Sequence, residues 1–296
     1  TEPRRSIAHV DSTGRLSDWD PDITGYVADM ALDGNLLYVV GGVTAVGGVP
    51  RSSMAAIDIT TGQPTSWAPS TPIPFDQVAT IAVGDGVIYI GGTFTEVNGQ
   101  PHANIAAIDS ATGAVLAWEP YCDAEVRDLL YQDGVLYVGG VFTSIGGQIR
   151  HGIAALEATT GNALNLNPAG LSTVDVRTMA LSADRIFFGG EFTDLNGTPR
   201  QHLAAADLAT GLLDAWDPDW QSYPDEVNSV CVSGGSVYAS SSWFSFQENY
   251  LEAFNITSGA SRPWSPPVSA RVSDLVSDGT RMYVIGNFDH VDVIVG

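Results

Sequence analysis

Ile88-Tyr89-Ile90-Gly91-Gly92-Thr93-Phe94 is an apolar strand that runs through an aromatic into a glycine pair and a second aromatic. The same order returns at Leu37-Tyr38-Val39-Val40-Gly41-Gly42, Leu136-Tyr137-Val138-Gly139-Gly140-Val141-Phe142 and Ile186-Phe187-Phe188-Gly189-Gly190-Glu191-Phe192. It returns again at Met282-Tyr283-Val284-Ile285-Gly286-Asn287-Phe288, with a degenerate copy at Val237-Tyr238-Ala239-Ser240-Ser241-Ser242-Trp243. A second half follows each copy and is clearest at Ile105-Ala106-Ala107-Ile108-Asp109, Thr112-Gly113, Trp118 and Pro120. Its turn glycines are Gly14, Gly62, Gly113, Gly161, Gly211 and Gly259, each followed five residues later by Trp19, Trp67, Trp118, Leu166, Trp216 or Trp264.

Spacing then selects the architecture. Successive members of the tryptophan column lie 48, 51, 48, 50 and 48 residues apart, and the span from Trp264 off the C-terminus and back through the N-terminus to Trp19 is 51. A repeat that keeps its phase across its own ends fits a ring. Each unit reads as four short strands, a to d, divided by turn signals. Four-stranded units repeated radially make a propeller, which leaves only short, protected edges. The expectation is an all-β, six-bladed β-propeller with four-stranded antiparallel blades, one domain over 1–296. Residues 7–19 would supply strands c and d of the blade whose strands a and b span about 272–288. The glycine pair would let backbones approach closely, and the Trp would fill the space between blades.

Charge narrows the partners. There are 34 acidic residues against 12 basic ones, all arginine, for a formal charge of −22. Such a field repels phosphate backbones and anionic lipid surfaces, so neither nucleic acid nor membrane insertion is expected. No apolar run approaches the ~18 residues of a membrane helix. Thr1-Glu2-Pro3-Arg4 carries no signal-peptide pattern, so a removed leader or a place in a larger multidomain chain is expected. Cys122 and Cys231 fall at non-equivalent places in two repeats and read as free.

The repeat motifs resemble the delta-60-like propeller repeats of bacterial secreted and surface proteins. They also resemble Kelch repeats, which share the glycine pair and a later Trp. The Ala-x-Asp-x-x-Thr-Gly-x-x-x-x-Trp stretch is similar to the Trp-docking repeat of quinoprotein propellers, but no counterpart of their cofactor-site residues is found and that activity is not carried over. The resemblance implies a fold. It leaves function open, because propeller families share scaffold residues and vary their sites.

Two columns and one irregular repeat are the candidate sites. In strand a, Asp29, Thr80, Asp128, Thr178, Ser229 and Asp274 place an oxygen in every repeat. Either these oxygens bond backbone and water, or Asp29, Asp128 and Asp274 ring a cation site, with calcium as the one cofactor to consider. Three residues before strand c stand Arg4, Arg51, His102, Arg150, Arg200 and Glu248. Pairing with the carboxylates Asp76, Asp123, Glu125, Asp175, Asp225 and Glu226 of the loops entering strand a is one reading. A ring that reads an anionic or sugar ligand is the other. His102, His151 and His202 share that face but lie in successive repeats, too far apart for one metal. The fifth repeat loses its glycine pair to Ser240-Ser241 and gains Trp220, Tyr223, Phe244 and Tyr250, a candidate aromatic platform for sugar or peptide. Asn196-Gly197-Thr198 and Asn255-Ile256-Thr257 match glycosylation sequons.

No lysine, His-Glu-x-x-His, Gly-x-Ser-x-Gly, Cys-x-x-Cys or EF-hand loop is present, which removes the commonest catalytic and metal-binding motifs. The favoured expectation is a non-catalytic recognition or adhesion module, secreted or at the cell surface, binding carbohydrate or protein through the loop face. The alternatives are an enzyme (a lyase or hydrolase with acid–base residues at the channel mouth) and a structural spacer in a larger surface protein.

Overall fold

Strand a carries a valine in each repeat, at Val27, Val78, Val126, Val176, Val227 and Val272, and in five of the six the ladder slips between that valine and the residue two places on. The computed structural model describes residues 6–9, 15, 17–71, 77–170, 172–220, 224–243 and 248–286, except the side chains of Trp243 and Glu248. These residues are all-β and contain no helix. Two compact units divide them, one of residues 1–137, 144–148 and 156–163, the other of 138–143, 149–155 and 164–296.

In the first unit, strands Val27–Asp33, Leu36–Gly41 and Met54–Asp58 form one antiparallel sheet, and Val78–Gly84, Val87–Gly92 and Ile105–Asp109 form the next. A third sheet comprises Val126–Gln132, Val135–Gly140 and Ile153–Glu157. In the second unit the sheets are Asp175–Leu181, Arg185–Glu191 and Leu203–Asp207, then Glu226–Ser233, Ser236–Trp243 and Glu248–Asn255. A two-stranded sheet of Val272–Ser277 and Met282–Gly286 follows.

The expected fourth strand is much reduced. Strand d survives as one antiparallel bridge per repeat: Ile57 to Pro64, Ile108 to Val115, Leu156 to Ala163, Ala206 to Leu213 and Phe254 to Ser261. The ladder has little room to run, since a glycine turn precedes it and the Trp-x-Pro stretch, with no N–H at the proline, follows. The strand b to c loop gains what strand d loses. Two-residue ladders pair Ala45–Val46 with Val49–Pro50, Glu96–Val97 with Gln100–Pro101, and Asp194–Leu195 with Thr198–Pro199. Both turn residues of each have positive φ, as at Asn98 (50°) and Gly99 (74°). That is the primed turn which matches strand twist.

A bulge gives strand a its function. Register shifts occur between Val27 and Asp29, Val78 and Thr80, Val176 and Thr178, Val227 and Ser229, and Val272 and Asp274. A bulge re-aims the side chain that follows it, and here that side chain is the oxygen column. Asp29 Oδ2 accepts from the Ile81 N–H at 2.9 Å and from the Thr80 hydroxyl at 3.1 Å. Thr80 Oγ1 in turn accepts from the Leu129 N–H at 3.1 Å. In the second unit Thr178 Oγ1 accepts from Val230 N–H at 3.0 Å, and Ser229 Oγ accepts from Leu275 N–H at 3.0 Å. In these four repeats the strand a oxygen thus satisfies a backbone N–H of the next repeat.

The glycine pair makes the approach possible. A Cβ on Gly91 would strike the Val126 side chain of the following repeat, and one on Gly92 would strike the Gln77 carbonyl of its own. Gly189 and Gly190 stand in the same relation to Val227 and Asp175. The tryptophans complete the contact between repeats. Trp67 packs edge-on against Tyr38 at 5.1 Å and donates its indole N–H to the Asp109 carbonyl of the next repeat at 3.1 Å. Trp216 does the same with Phe187 at 5.0 Å and the Asn255 carbonyl at 3.0 Å. At the turn beneath, Asp109 accepts from the Thr112 hydroxyl and N–H at 2.6 and 2.7 Å, which holds its carboxyl below the usual range.

Thr80→Val keeps the side-chain volume but leaves the Leu129 N–H buried without a partner. The expected loss is about 1–3 kcal/mol in urea unfolding, with Thr80→Ser close to wild type. Equal stability of the valine and serine variants would show that this hydrogen bond does not hold adjacent repeats together.

Candidate functional site

The loop face is the end of the sheets where the strand b to c loops meet the loops entering strand a. Asn98 in the first of these donates its N–H to the Ser70 carbonyl in the second at 2.8 Å. Every described strand b to c loop reaches strand c through one residue in the left-handed region: Ser53 (74°), Asn104 (67°), Gly152 (67°) and His202 (65°). The backbone there is shared. His202 N–H donates to the Phe192 carbonyl at 2.9 Å and Gly190 N–H to the His202 carbonyl at 3.0 Å, as the Asn104 pair does with Phe94 and Gly92. The side chains differ in use. Ser53 Oγ bonds Thr71 Oγ1 at 2.7 Å and Asn104 Nδ2 donates to the Cys122 carbonyl at 3.0 Å, so both stitch the loop to its neighbour.

His202 departs from this pattern. Its Nδ1 accepts from the Phe192 N–H at 3.3 Å, and its ring lines a cleft of about 740 Å³ in the second unit. Glu191, Asp225, Asp194, Ser172 and Thr193 share the lining. Asp194 is fixed by the Ser172 hydroxyl at 3.1 Å and the Gly197 N–H at 2.9 Å. Glu191 accepts from Arg177 at 3.0 Å. Arg177 also holds Asp175 at 3.1 Å and pairs with Glu226, which is 1% exposed.

The expected site residues fall as follows. Arg51, Arg150 and Arg200 do not pair chiefly with the opposing loop carboxylates. Each donates to the carbonyl of the preceding residue at 2.8 Å. Each also donates to the carbonyl fourteen residues on: Thr65 at 2.6 Å, Leu164 at 2.9 Å and Asp214 at 3.1 Å. Among the described residues, Arg200 is the one of the three that also comes near a carboxylate, Asp217 at 3.8 Å. These guanidinium groups therefore brace their own repeats. His102 makes no such bond and lines a separate cleft of about 260 Å³ with Glu119, Pro120 and the exposed Tyr121.

Of the aromatics expected in the fifth repeat, Trp220 and Tyr250 fall among the described residues and line separate clefts, Trp220 one of about 240 Å³ that it shares with Arg200. Trp220 is buried, stacked edge-on against Phe254 at 4.8 Å, with its indole N–H on the Gln201 carbonyl at 2.9 Å. An extra Trp beside the column Trp216 is drawn into the same apolar cluster, because that buries the larger surface. Tyr250 is a strand residue opposite Ser241 rather than a loop residue, since strand c here extends over Glu248–Asn255. Tyr223 and Phe244 lie outside the described residues, as do Arg4 and Asp76.

Of the strand a carboxylates, Asp29 accepts the bonds given above and a further one from the Met30 N–H at 2.7 Å. Asp274 accepts from Ser229 Oγ at 2.9 Å and Leu275 N–H at 2.8 Å. Asp128 holds the equivalent place in the third repeat. Among the described residues no group of three or more His, Cys, Asp or Glu is placed to hold a metal. Both cysteines are free, and burial pushes the Cys122 thiol up to about 12. No described helix is long and apolar enough to cross a membrane.

Residues 50–291 match the PQQ_2 family model, that of outer membrane protein assembly factor BamB. The chain belongs to this family. The match is to BamB and not to the delta-60-like or Kelch repeats. No curated protein matches the chain in sequence. Among solved structures, this BamB-family chain is similar to one from the mitotic checkpoint complex, with a TM-score of 0.60 at 15% identity, covering 92% of this chain and 76% of that one. The WD40 domain of Neurospora crassa Pan2 gives 0.53 at 10%, covering 87% and 71%. The computationally designed Ika8 protein gives 0.52 at 11%, covering 87% and 92%. At such identities the likeness is one of fold, a β-propeller of repeated sheets.

The cleft histidine carries a pH signature. Burial lowers the His202 pKa from 6.5, with Asp225 and Glu191 opposing. The unfolded chain then takes up a proton at a pH where the folded ring stays neutral. This contribution to stability is fully present above about 6.5 and is lost as pH falls from there down through the lowered folded pKa. The urea midpoint of the wild type should therefore decline between pH 7 and pH 5.5 more steeply than that of His202→Asn, followed by tryptophan fluorescence. Parallel slopes in the two proteins would assign the decline to other groups.

Proposed function

We propose that this chain is a non-catalytic recognition module that holds a protein or carbohydrate partner through its loop face, working outside the cell or at its surface. The observation that carries the reading is the division of labour between side chains that recur and side chains that vary. Side chains that recur in most repeats brace the scaffold: the arginines on carbonyls, the strand a oxygens on N–H groups, the turn aspartates on threonines. Side chains that differ between repeats, His202 and His102 with Tyr121, line the loop-face clefts. A constant frame with variable loops is the usual arrangement of a binding scaffold. Membership of the BamB family and the likeness to WD40 propellers support it at the level of fold.

The same proposal includes a ring of six repeats closed through the termini, with the N-terminal strands c and d completing the sheet of 272–286. The tryptophan spacing across the two ends supports that closure. It also retains a secreted or surface setting, supported by the acidic, lysine-free composition.

Photo-crosslinking from a benzoylphenylalanine placed at Tyr121 or Thr193 on the loop face, and at Asp133 on the opposite turn face, tests the reading in an extract or secretome of the source cells. Crosslinks from the loop positions alone are expected. Equal labelling from both faces, or none from either, would remove the loop face as a recognition surface.

A further inference from the structure

Resting on the recognition reading, we infer that the cleft around His202 is a binding site for a neutral, polyhydroxylated ligand, a sugar. Three observations lead there. The first is His202 itself, 9% exposed and lining the cleft. Its Nδ1 is engaged by the Phe192 N–H, so in the neutral ring the proton sits on Nε2 and that edge is left for the cleft. Nε2 has no hydrogen-bond partner among the described residues. Nε2 is not among the buried polar atoms left without a partner, so it opens into the cleft, where a ligand acceptor would take the place of water.

The second observation is the rest of the lining. Glu191, Asp194 and Asp225 bring carboxylate acceptors, and Ser172 and Thr193 bring hydroxyls that act either way. The third is size: about 740 Å³ lies within the range of small-ligand pockets. The ligand must then accept from His202 and donate to carboxylates. An anion is repelled by the carboxylates in a chain of formal charge −22. A lysine or arginine side chain offers only donors and would leave the Nε2 proton facing a cation. A hydroxyl both donates and accepts, and a sugar presents several at fixed spacing.

The position of His202 in its repeat supports a special use. The equivalent Ser53 and Asn104 tie their loops to a neighbouring segment. A non-glycine residue at φ 65° is uncommon, though histidine tolerates it better than most, and in this repeat the residue lines a cleft.

The experiment is a glycan array that carries neutral, sialylated and sulfated glycans beside arginine- and lysine-rich peptides, followed by titration calorimetry on the best neutral glycan. His202→Asn keeps the left-handed turn, since asparagine already holds that position at Asn104. Thr193→Val removes one exposed hydroxyl and leaves its backbone bonds in place. Binding confined to neutral glycans is expected, weakened at least tenfold by His202→Asn and measurably by Thr193→Val, with unchanged melting temperature at pH 7.5. Glycan binding untouched by both variants would move the site elsewhere. Binding of basic peptides in place of neutral glycans would overturn the ligand class. A blank array together with loop-face crosslinks would overturn this inference and leave the recognition reading standing, whereas crosslinks that ignore the loop face would remove the reading itself.

Discussion

The strand a hydrogen bond from one repeat to the next is the constraint on which the other features depend. Strand a lies too close to its neighbour for ordinary side chains, yet its N–H groups are buried and need acceptors. The bulge after the strand a valine turns one short oxygen side chain toward the neighbouring backbone. That geometry requires the neighbour to be near, which requires glycine at positions such as Gly91 and Gly92. It also requires something rigid further out to fix the angle, which Trp67 supplies by packing on Tyr38 and bonding the next turn. Remove any one of these and the others lose their reason. The fifth repeat shows how far the rule bends. Ser240 and Ser241 replace the glycines, and all three of its strands lengthen to eight residues, so extra ladder pairs stand in for close approach.

Much of this was legible because the repeat has a fixed period. The glycine pair, the tryptophans and the oxygen column each recur at one place, and recurrence separates scaffold from site without any structure. What the sequence could not show was the identity of backbone partners. Thr80 was visible as an oxygen, but its partner Leu129 N–H lies in the next repeat and has no letter of its own. Arg51, Arg150 and Arg200 looked like partners for loop carboxylates because only side chains appear in a sequence; their targets are carbonyls. Trp220 was read as surplus and therefore exposed, when a surplus aromatic beside an apolar cluster is drawn in. The signal that marks His202 was present. A histidine follows Ser53, Asn104 and Gly152 in one column, but the column is recognisable only once its left-handed backbone is known.

Arginine placement explains the electrostatics of the whole chain. Of its 12 basic residues, Arg51, Arg150, Arg185, Arg200 and Arg262 donate to backbone carbonyls. Arg177 is held among Asp175, Glu191 and the buried Glu226, and Arg271 reaches Glu226 and Asn228. The planar guanidinium suits both tasks, since it can serve several acceptors at once and stays charged when buried. Lysine offers a single point charge and would do neither as well, which is consistent with its absence.

Positive charge used inside the repeats leaves the surface acidity largely uncompensated. That asymmetry bears on what the loop face can bind. A site that also carried free arginines would attract phosphate, sulfate or sialic acid, and selectivity would have to come from shape. Here the field itself discriminates. In the proposed sugar site, anionic ligands would be disfavoured before they reach the cleft, and hydrogen bonds at His202 and its neighbouring carboxylates would then choose among the remainder by the number and direction of their hydroxyls. Selectivity of this kind weakens with salt only in its first, long-range step. The second step depends on desolvated contacts, so preference among neutral ligands should persist at ionic strengths that erase the discrimination against anions.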